Sequence, residues 1–478
     1  MKRRFTIFTA GTALLTALFA VNFSVLAAPD TATVTNAIEQ VNQPWGLAAA
    51  ADGGIIVVSS GSNQINKYQN GQLSSLTGQT KSGYLDGAAS ASTFNNPTYS
   101  AVGSKGTVYI SDTDNHVIRK IENNKVYTFA GNGQEGYKDG KYGDVRFHAP
   151  TGLALDANNN VYVADTLNNV IRKITPEGIV STFAGIAGTT GGYKDGSAAE
   201  AVFNEPMGLV LDEKGGLYVA DSGNHLIRYI YDGKVTTIAG KATTVDALTG
   251  YMTGGYANGT SSAARFNRPR GLAYAEGVLF VADSLNNRIR AVQPNGKVVT
   301  IAGQSKPGNR VGAVDTAQFN QPSSLLYHSG KLYVSDSLND SVKVLEVNPA
   351  ALKPVNSKED LIEGTELLPA GKDIQVWVDG KQVKFSSAKK AYKSGMKTYI
   401  PLRALFAAMG ADVEWNVAAK EVKVAKGQWK LTLKPDAKHN VLVLKGTAYV
   451  EASYLENAAL FIVAYDEEYN AIVINSGQ

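Results

Sequence analysis

The sequence predicts an all-β six-bladed propeller followed by a small C-terminal α+β domain. Six prolines open similar segments at intervals of 53, 53, 56, 63 and 53 residues: Pro44, Pro97, Pro150, Pro206, Pro269 and Pro322. Each of the first five segments holds four short β-branched or aromatic runs separated by turn residues, the pattern of four antiparallel strands. A unit of this size cannot bury a core alone, so the six must stack radially.

The most regular part of each unit is the second strand with the turn that follows it. Residues 161–174 read VYVADTLNNVIRKI, and related copies begin at residues 108, 217, 279 and 332. The first copy, 56–68, is degenerate, and we align its Ser60 with the aspartate of the others. These motifs resemble the NHL-repeat family of propellers over about residues 31–347. The resemblance implies the fold, but it leaves function open between ligand binding and lyase chemistry.

The propeller is expected to span residues 29–347 and to close with its own N-terminal end. Residues 33–38 align with the fourth strands of other blades, whereas the blade that begins at Pro322 has only three strands before Val347. Residues 33–38 therefore supply the missing outer strand of blade 6 and remove an open sheet edge.

Residues 1–28 have the features of a secretory signal peptide. A basic start, residues 2–4, precedes a mostly apolar run to Val25 and a small-residue site ending at Ala28. The alternative is a membrane anchor, but Thr and Gly interrupt the apolar run, and no later stretch has about 20 apolar residues. We expect cleavage near Ala28, a secreted or cell-surface protein, and no membrane span in the mature chain.

Composition removes several classes of chemistry. The chain has no cysteine, which excludes disulfides, thiolate nucleophiles and cysteine metal sites. Its net charge of +4 over 478 residues is too small and dispersed to indicate a nucleic-acid partner.

Residues 348–373 read as a linker, and residues 374–478 form a domain with an internal repeat. Residues 399–424 align without gaps to 449–474, each as a strand end, a helix and two strands. The segment YIPLRALFAAMGADVEWN resembles the copper amine oxidase N-terminal-like domain, an accessory stalk rather than a catalytic domain. Copper in amine oxidases requires three histidines, and this domain contains only His439. We expect no copper.

One end of the propeller carries both the strand 2–3 turns and the blade-connecting loops. Five aspartates are expected to form an acidic ring there: Asp112, Asp165, Asp221, Asp283 and Asp336. A calcium ion bound by them is possible. The alternative is structural, because Asp and Asn satisfy turn backbone groups, and Arg119, Arg172, Arg228 and Arg290 are expected to pair with carboxylates between blades.

Ligand specificity is expected from residues that break the repeat on this face. The longest insertion, residues 241–255, carries Tyr251, and Tyr256 follows it. Aromatic side chains offer large contact area at small entropic cost. Three histidines complete the candidate set: His116, His148 and His225. The competing interpretation is a surface loop without function.

These features favour an exported binding or scaffold protein over an enzyme. The propeller would present a glycan, peptide or protein ligand site, and the C-terminal module would serve attachment or assembly. The alternative is a hydrolase or lyase at the channel mouth, similar to amidating lyases or lactonases. The histidines are not distributed as three ligands of one metal, and no G-x-S-x-G, H-E-x-x-H or P-loop motif occurs. We therefore assign no catalytic residue and no metal ligand.

Overall fold

The computed structural model describes residues 32–189, 191–243 and 251–352, and then 373–378, 381–386, 389–394, 397–416, 421–426, 429–434, 441–444, 447–452, 455, 462–466 and 471–475. The proposed signal peptide, most of the linker and residues 244–250 of the insertion lie outside these residues. The described residues divide into two compact units, one before the linker and one after it.

The first unit is a ring of six antiparallel sheets, one for each opening proline. A single strand, β1 (Thr33–Glu39), precedes blade 1. Blade 1 contains β2 (Pro44–Ala49), β3 (Ile55–Ser59), β4 (Gln64–Gln69) and β5 (Gln72–Thr77). Blade 2 contains β6 (Gly87–Ala88), β7 (Pro97–Val102), β8 (Val108–Asp112), β9 (Val117–Glu122) and β10 (Lys125–Ala130). Blade 3 contains β11 (Gly140–Lys141), β12 (Pro150–Leu155), β13 (Val161–Asp165), β14 (Val170–Ile174) and β15 (Ile179–Ala184).

The remaining blades repeat this order. Blade 4 contains β16 (Gly196–Ser197), β17 (Pro206–Leu211), β18 (Leu217–Asp221), β19 (Leu226–Tyr231) and β20 (Lys234–Ala239). Blade 5 contains β21 (Pro269–Ala275), β22 (Val278–Asp283), β23 (Arg288–Val292) and β24 (Val298–Ala302). Blade 6 contains β25 (Gly312–Ala313), β26 (Pro322–His328), β27 (Lys331–Asp336) and β28 (Ser341–Glu346), with β1 paired antiparallel between β28 and β25.

The ring is closed and its core lies between the blades. The first strand of every blade contacts the first strand of the next, in the order β2, β7, β12, β17, β21, β26 and back to β2. A methyl group at Gly152 would overlap the carbonyl oxygen of Met207, so these strands approach too closely for most side chains. The phenylalanine three residues before each later proline is fully buried against the neighbouring blade: Phe94, Phe147, Phe203, Phe266 and Phe319.

The second unit is a small α+β domain, and its described residues form three sheets and one short helix. Its elements are β29 (Gln375–Val378), β30 (Lys381–Gln382), β31 (Tyr392–Ser394), β32 (Lys397–Pro401), α1 (Leu402–Ala408), β33 (Asp412–Asn416), β34 (Glu421–Lys426), β35 (Trp429–Leu433), β36 (Val441–Leu444), β37 (Thr447–Glu451), β38 (Ile462–Asp466) and β39 (Ala471–Asn475). The sheet orders are β30-β29-β39-β38, β31-β32-β37-β36 and β33-β34-β35. Helix α1 buries Leu402, Leu405 and Phe406 in the shared core.

Helix α1 ends next to a glycine in a left-handed conformation. Gly410 follows the helix with φ +69°, a left-handed conformation that glycine adopts without strain.

In the described part of the chain, no helix has the length and apolar character needed to cross a membrane.

Candidate functional site

The five aspartates of the predicted acidic ring do not line an exposed surface. All five aspartates are completely buried. Each forms an ion pair with a buried arginine or lysine that lies seven residues later in the chain, on the next strand. The distances from carboxylate oxygen to side-chain nitrogen are Asp112–Arg119 2.7 Å, Asp165–Arg172 2.7 Å, Asp221–Arg228 2.6 Å, Asp283–Arg290 2.6 Å and Asp336–Lys343 2.6 Å. The prediction that the five aspartates form a ligand surface was therefore wrong, because these carboxylates are held inside the blades by ion pairs.

Blade 3 shows why each blade requires this pair. Asp165 accepts the backbone N–H of His148 through one oxygen, and the Asn168 amide and the Arg172 guanidinium through the other. Arg172 also pairs with Asp139, in the Asp-Gly turn of the loop that leads into the blade. The arginine thus joins the strand 2–3 hairpin of its own blade to the connecting loop. The sequence predicted a carboxylate partner between blades, which Asp139 provides, but not the second partner, Asp165, within the blade.

Blade 1 replaces this ion pair with a neutral one. Strand β3 ends at Ser59, which pairs with Pro44 as Asp112 pairs with Pro97. Asn66 donates to the Ser59 hydroxyl at 2.8 Å in the place where other blades have arginine. The equivalent of the aspartate is therefore Ser59, and our alignment on Ser60 was wrong by one residue.

Tyr256 belongs to the scaffold rather than to a ligand surface. In blades 2 to 5 the loop tyrosine stacks on the repeat guanidinium at 4.8–5.1 Å and hydrogen-bonds a threonine of the fourth strand: Tyr84, Tyr137, Tyr193 and Tyr256. Tyr256 is the fourth copy of this contact, and its ring also faces Arg288 at 4.0 Å.

His116 and His225 fill a position with the same structural role in all six blades, whereas the sequence predicted them as residues that break the repeat. In every blade, the residue after the 3-10 turn has positive φ and accepts the backbone N–H of the residue before the next opening proline. The six bonds, here called the inter-blade ring, are Asn63 to Asn96, His116 to Ala149, Asn169 to Glu205, His225 to Arg268, Asn287 to Gln321 and Asp340 to Gln43. Because the last bond joins blade 6 to blade 1, the ring is complete.

This role requires both histidines to be neutral. The Nδ1 atom of His225 accepts the Arg268 N–H at 2.9 Å, so its Nε2–H donates to the Met252 carbonyl oxygen at 2.8 Å. Burial lowers the pKa of His225, and the nearby Arg268 and Arg265 add to this effect. Burial and His148 lower the pKa of His116, although Glu135 and Asp114 oppose the shift.

We expect His225→Asn to remove acid sensitivity. The folded-state pKa of His225 lies below that of the unfolded chain, so its stabilisation is complete above about pH 6.5 and is lost as the pH falls from there toward the folded pKa. Asparagine performs the same role at Asn169 and Asn287 and does not titrate. Urea denaturation of the variant should show about 1 kcal/mol less stability lost between pH 7.5 and 5.

The matched control for this experiment is His328→Asn. His328 lies at the opposite end of the propeller, where its Nε2 contacts the Gly53 carbonyl oxygen at 3.3 Å. This variant should retain the acid sensitivity of the parent protein. Equal pH dependence of the His225→Asn variant and the parent would contradict the assignment.

The side chains that differ most between blades surround the channel at this end. The residues just before the opening prolines are Gln43, Asn96, Ala149, Glu205, Arg268 and Gln321. Arg268 of blade 5 forms an ion pair with Glu205 of blade 4, and both side chains are about a quarter exposed. Tyr251 donates to Glu205, and its ring lies 4.5 Å from the Arg268 guanidinium. Tyr251, a predicted site residue, thus joins Glu205 and Arg268 in a charged cluster at the mouth of the channel. These three residues are here called the mouth cluster.

Further in, three residues from different blades meet at the axis. The Arg270 guanidinium of blade 5 lies 5.1 Å from the Trp45 ring of blade 1. The Tyr99 hydroxyl of blade 2 donates to the Ser323 carbonyl oxygen of blade 6 at 2.9 Å. Each contact passes over an intervening blade, which places these side chains at the centre. Trp45, Tyr99 and Arg270 are here called the channel residues.

The predicted histidines fall into two sectors. His225 shares the mouth cluster's sector, since its Nδ1 accepts the Arg268 N–H. His116 and His148 lie together between blades 2 and 3, with ring centroids 5.8 Å apart. The His148 Nε2 is 3.5 Å from a Glu135 carboxylate oxygen. Among the described residues, no group of three or more His, Asp or Glu side chains is placed to hold a metal ion.

The channel residues, Glu205 and Arg268 were not predicted from the sequence. The available signal was the variation at the positions that flank each invariant proline. In the pattern P-x-G, the variable residue x is Trp45 in blade 1 and Arg270 in blade 5, and Tyr99 replaces the glycine in blade 2.

Two family models match the chain. The Teneurin NHL domain matches residues 86–293, and the copper amine oxidase N-terminal domain matches residues 377–474. The first unit is an NHL-repeat propeller. The second unit is a copper amine oxidase N-terminal domain, so both resemblances seen in the sequence are confirmed.

Curated relatives of the NHL propeller are moderately similar in sequence. NHL repeat-containing protein 2 of Bos taurus is 29% identical over 346 residues, covering 64% of this chain and 47% of that protein. The Gallus gallus protein of the same name is 28% identical over 425 residues, covering 81% and 54%. Teneurin-3 of Danio rerio is 30% identical over 221 residues, covering 41% and 8%. The chain spans about half the length of the first of these relatives.

Solved structures similar to the NHL propeller include proteins of different function. An auxiliary nutrient binding protein from Bacteroides ovatus has a TM-score of 0.49 at 14% identity, covering 66% of this chain and 76% of that one. A streptogramin B lyase has a TM-score of 0.42 at 12% identity, covering 66% and 98%.

Proposed function

We propose that this protein is an exported binding protein whose NHL propeller holds a ligand at the loop-bearing mouth. The observation that carries the proposal is the mouth cluster with the channel residues beneath it. These side chains break the six-fold repeat, come from several blades and gather at one end of the axis.

The division between scaffold and site supports this proposal. The buried ion pairs, the loop tyrosines and the inter-blade ring recur in most or all blades because each blade requires them. The mouth cluster and the channel residues have no such structural periodicity. Binding sites on repeat scaffolds draw their specificity from positions of this kind, since loops and strand ends vary without loss of the core.

The chemistry of the mouth suits a ligand with polar groups and an apolar face. Tyr251 and Trp45 supply apolar area, as does Met207, which holds in blade 4 the position that Trp45 holds in blade 1. Arg268, Glu205 and Gln321 supply hydrogen-bonding groups around it. Oligosaccharides and peptides share this mixture of surfaces, so a cell-wall glycan or a peptide is the proposed ligand class. The signal-peptide pattern of residues 1–28 supports export to the compartment where such ligands occur.

The C-terminal domain is proposed to attach or assemble the protein. Its resemblance is to an accessory stalk, and its single histidine argues against copper chemistry. In this proposal the propeller selects the ligand and the second domain fixes the protein in place.

We expect Tyr251→Ala to weaken binding without lowering the melting temperature. The experiment screens the full mature chain against arrays of cell-wall oligosaccharides and short peptides, and then measures the strongest binder with each variant. Loss of the aromatic surface should cost about 1–3 kcal/mol of binding free energy. Tyr256→Ala should instead lower the melting temperature, because that ring stacks on Arg290 inside blade 5.

Tyr142→Ala is the matched control. Tyr142 is an exposed tyrosine of the blade 2–3 loop, and its ring lies beside Lys141 rather than the mouth. It should bind as the parent protein does. The absence of any binder in the arrays, or a binder indifferent to Tyr251→Ala, would count against a ligand site at the mouth.

A further inference from the structure

Among the described residues, Arg270 differs from the four repeat arginines in having no acid partner. The four repeat arginines each contact at least one aspartate within 2.7 Å. Within the described residues, no carboxylate lies within ion-pair distance of Arg270. Its one direct hydrogen bond runs from a terminal nitrogen to the Gln321 side-chain oxygen, at 3.4 Å. Burial lowers the pKa of Arg270, and Arg268 adds to the shift, as expected for a cation with too little compensation.

Two neighbouring N–H donors at this point have no acceptor. The Nε atom of Arg270 and the Nε1 atom of Trp45 are both buried, and neither has a hydrogen-bond partner within the described residues. The two side chains touch, since the guanidinium lies 5.1 Å from the indole ring. Buried donors are normally paired, so two orphans in adjacent side chains indicate a missing acceptor.

The surroundings restrict what this acceptor is. The side chains of Trp45, Met207 and Arg270 are only partly buried, although the two orphan N–H groups themselves are covered. Tyr99 lies buried beside them, with its hydroxyl bonded to the Ser323 carbonyl oxygen. The site offers one positive charge and two N–H groups against a largely apolar floor. A singly charged group with two acceptor oxygens matches this set, whereas a phosphate dianion would leave charge uncompensated.

We propose that the channel residues bind a carboxylate group of the ligand. The carboxylate accepts the N–H groups of Arg270 and Trp45, and the rest of the ligand extends past Met207 toward the mouth cluster. This proposal rests on the binding function proposed above and specifies its ligand class: a peptide with a free C-terminal carboxylate, or an acidic sugar.

Paired acids and amides test the proposal on the full mature chain. The probes are N-acetyl-dialanine with its C-terminal amide, and glucuronic acid with glucuronamide, at constant ionic strength and pH 7.5. Trp45 fluorescence is read as the difference between the parent protein and Trp45→Phe. We expect the acid of at least one pair to bind at least tenfold more tightly than its amide, and the pair that responds identifies a peptide or a sugar ligand.

The variants separate charge from geometry. Arg270→Gln should lose at least tenfold in affinity for the acid, and Arg270→Lys should fall between this variant and the parent because lysine keeps the charge without the planar fork. Removing an uncompensated buried cation should leave the melting temperature unchanged or raise it. Lys105→Gln removes one positive charge from an exposed turn between the first two strands of blade 2, at the opposite end, and should bind as the parent does.

Each opposing result has a separate meaning. Equal binding of acid and amide, or unchanged affinity in Arg270→Gln, overturns the carboxylate site. A neutral ligand that depends on Tyr251 but not on Arg270 overturns it and leaves the binding function standing. No saturable binding by acids, amides or the arrays overturns both proposals.

Discussion

Arg172→Gln is expected to destabilise the propeller by about 3–5 kcal/mol, because it leaves Asp165 as a buried charge without its cation. The guanidinium also contacts the carbonyl oxygens of Arg146 and Lys138, so the variant opens the contact between blade 3 and its connecting loop. Urea denaturation of the full chain measures the effect. Lys173→Gln, the adjacent residue on the partly exposed face of β14, is the control and should change the free energy of unfolding by less than about 0.5 kcal/mol.

The pH dependence of this variant tests its cause. Burial raises the pKa of Asp165 to about 6, and Arg172 is the largest opposing influence. Without Arg172 that pKa rises further above its unfolded value, so the folded state takes up a proton more readily. The variant should therefore lose less stability at pH 5 than at pH 8. A deficit independent of pH would show that lost packing, and not the unpaired carboxylate, is responsible.

A compensating second substitution should recover part of the loss. Asp165→Asn in the Arg172→Gln background removes the buried charge and keeps an amide that can accept the His148 N–H. Blade 1 already uses a neutral pair, Ser59 with Asn66, at the equivalent position. The double variant should thus be more stable than Arg172→Gln alone, so the destabilisations caused by the two substitutions should not add.

The fold was predictable because its determinants are local and repeated. The strands are marked by six prolines, by the Asp-x-x-Asn turns and by the apolar runs between them. The structure has one sheet for each opening proline. The Asp–Arg contact was also within reach of the sequence: in an antiparallel hairpin, Asp165 pairs with Val170, and Arg172 then lies on the same face two residues further along. The pair was missed as an internal contact because an arginine that repeats in most blades fits a carboxylate between blades as well as one within its own blade.

The candidate site was less predictable because it depends on which blades face each other across the axis. Nothing local to Trp45 or Arg270 shows that blades 1 and 5 bring them together over blade 6. The degenerate blade 1 adds a second difficulty, since it has no Asp–Arg pair to align on, and only the strand pairing of the structure shows that Ser59 lies opposite Pro44. Tyr256 shows the reverse error, because its neighbour Tyr251 lies in the mouth cluster while it repeats a scaffold contact.

Deleting residues 29–40 is expected to abolish cooperative folding of the propeller. Strand β1 pairs with β28 over residues 34–39, and Val34 and Ile38 are buried there. Without β1, the hairpins of β26, β27 and β28 remain, but β28 becomes a free edge. Its unpaired N–H and C=O groups can then pair with another molecule. Circular dichroism melting and light scattering should show a broad transition and aggregation.

Two further measurements keep this prediction testable if the truncated chain is poorly soluble. Val34→Asp and Ile38→Asp place a charge in the blade 6 core and should each lower the melting temperature, whereas Thr35→Asp, on the exposed side of the same strand, should not. A synthetic peptide of residues 29–43, added to the truncated chain, should restore the sharp transition by supplying the strand in trans, and a scrambled peptide should not. Because β1 comes from the start of the chain and β28 from the end of the propeller, ring closure requires both. A truncated chain that melts like the parent, with no response to the peptide, would mean that the other five blades hold the ring closed without this strand.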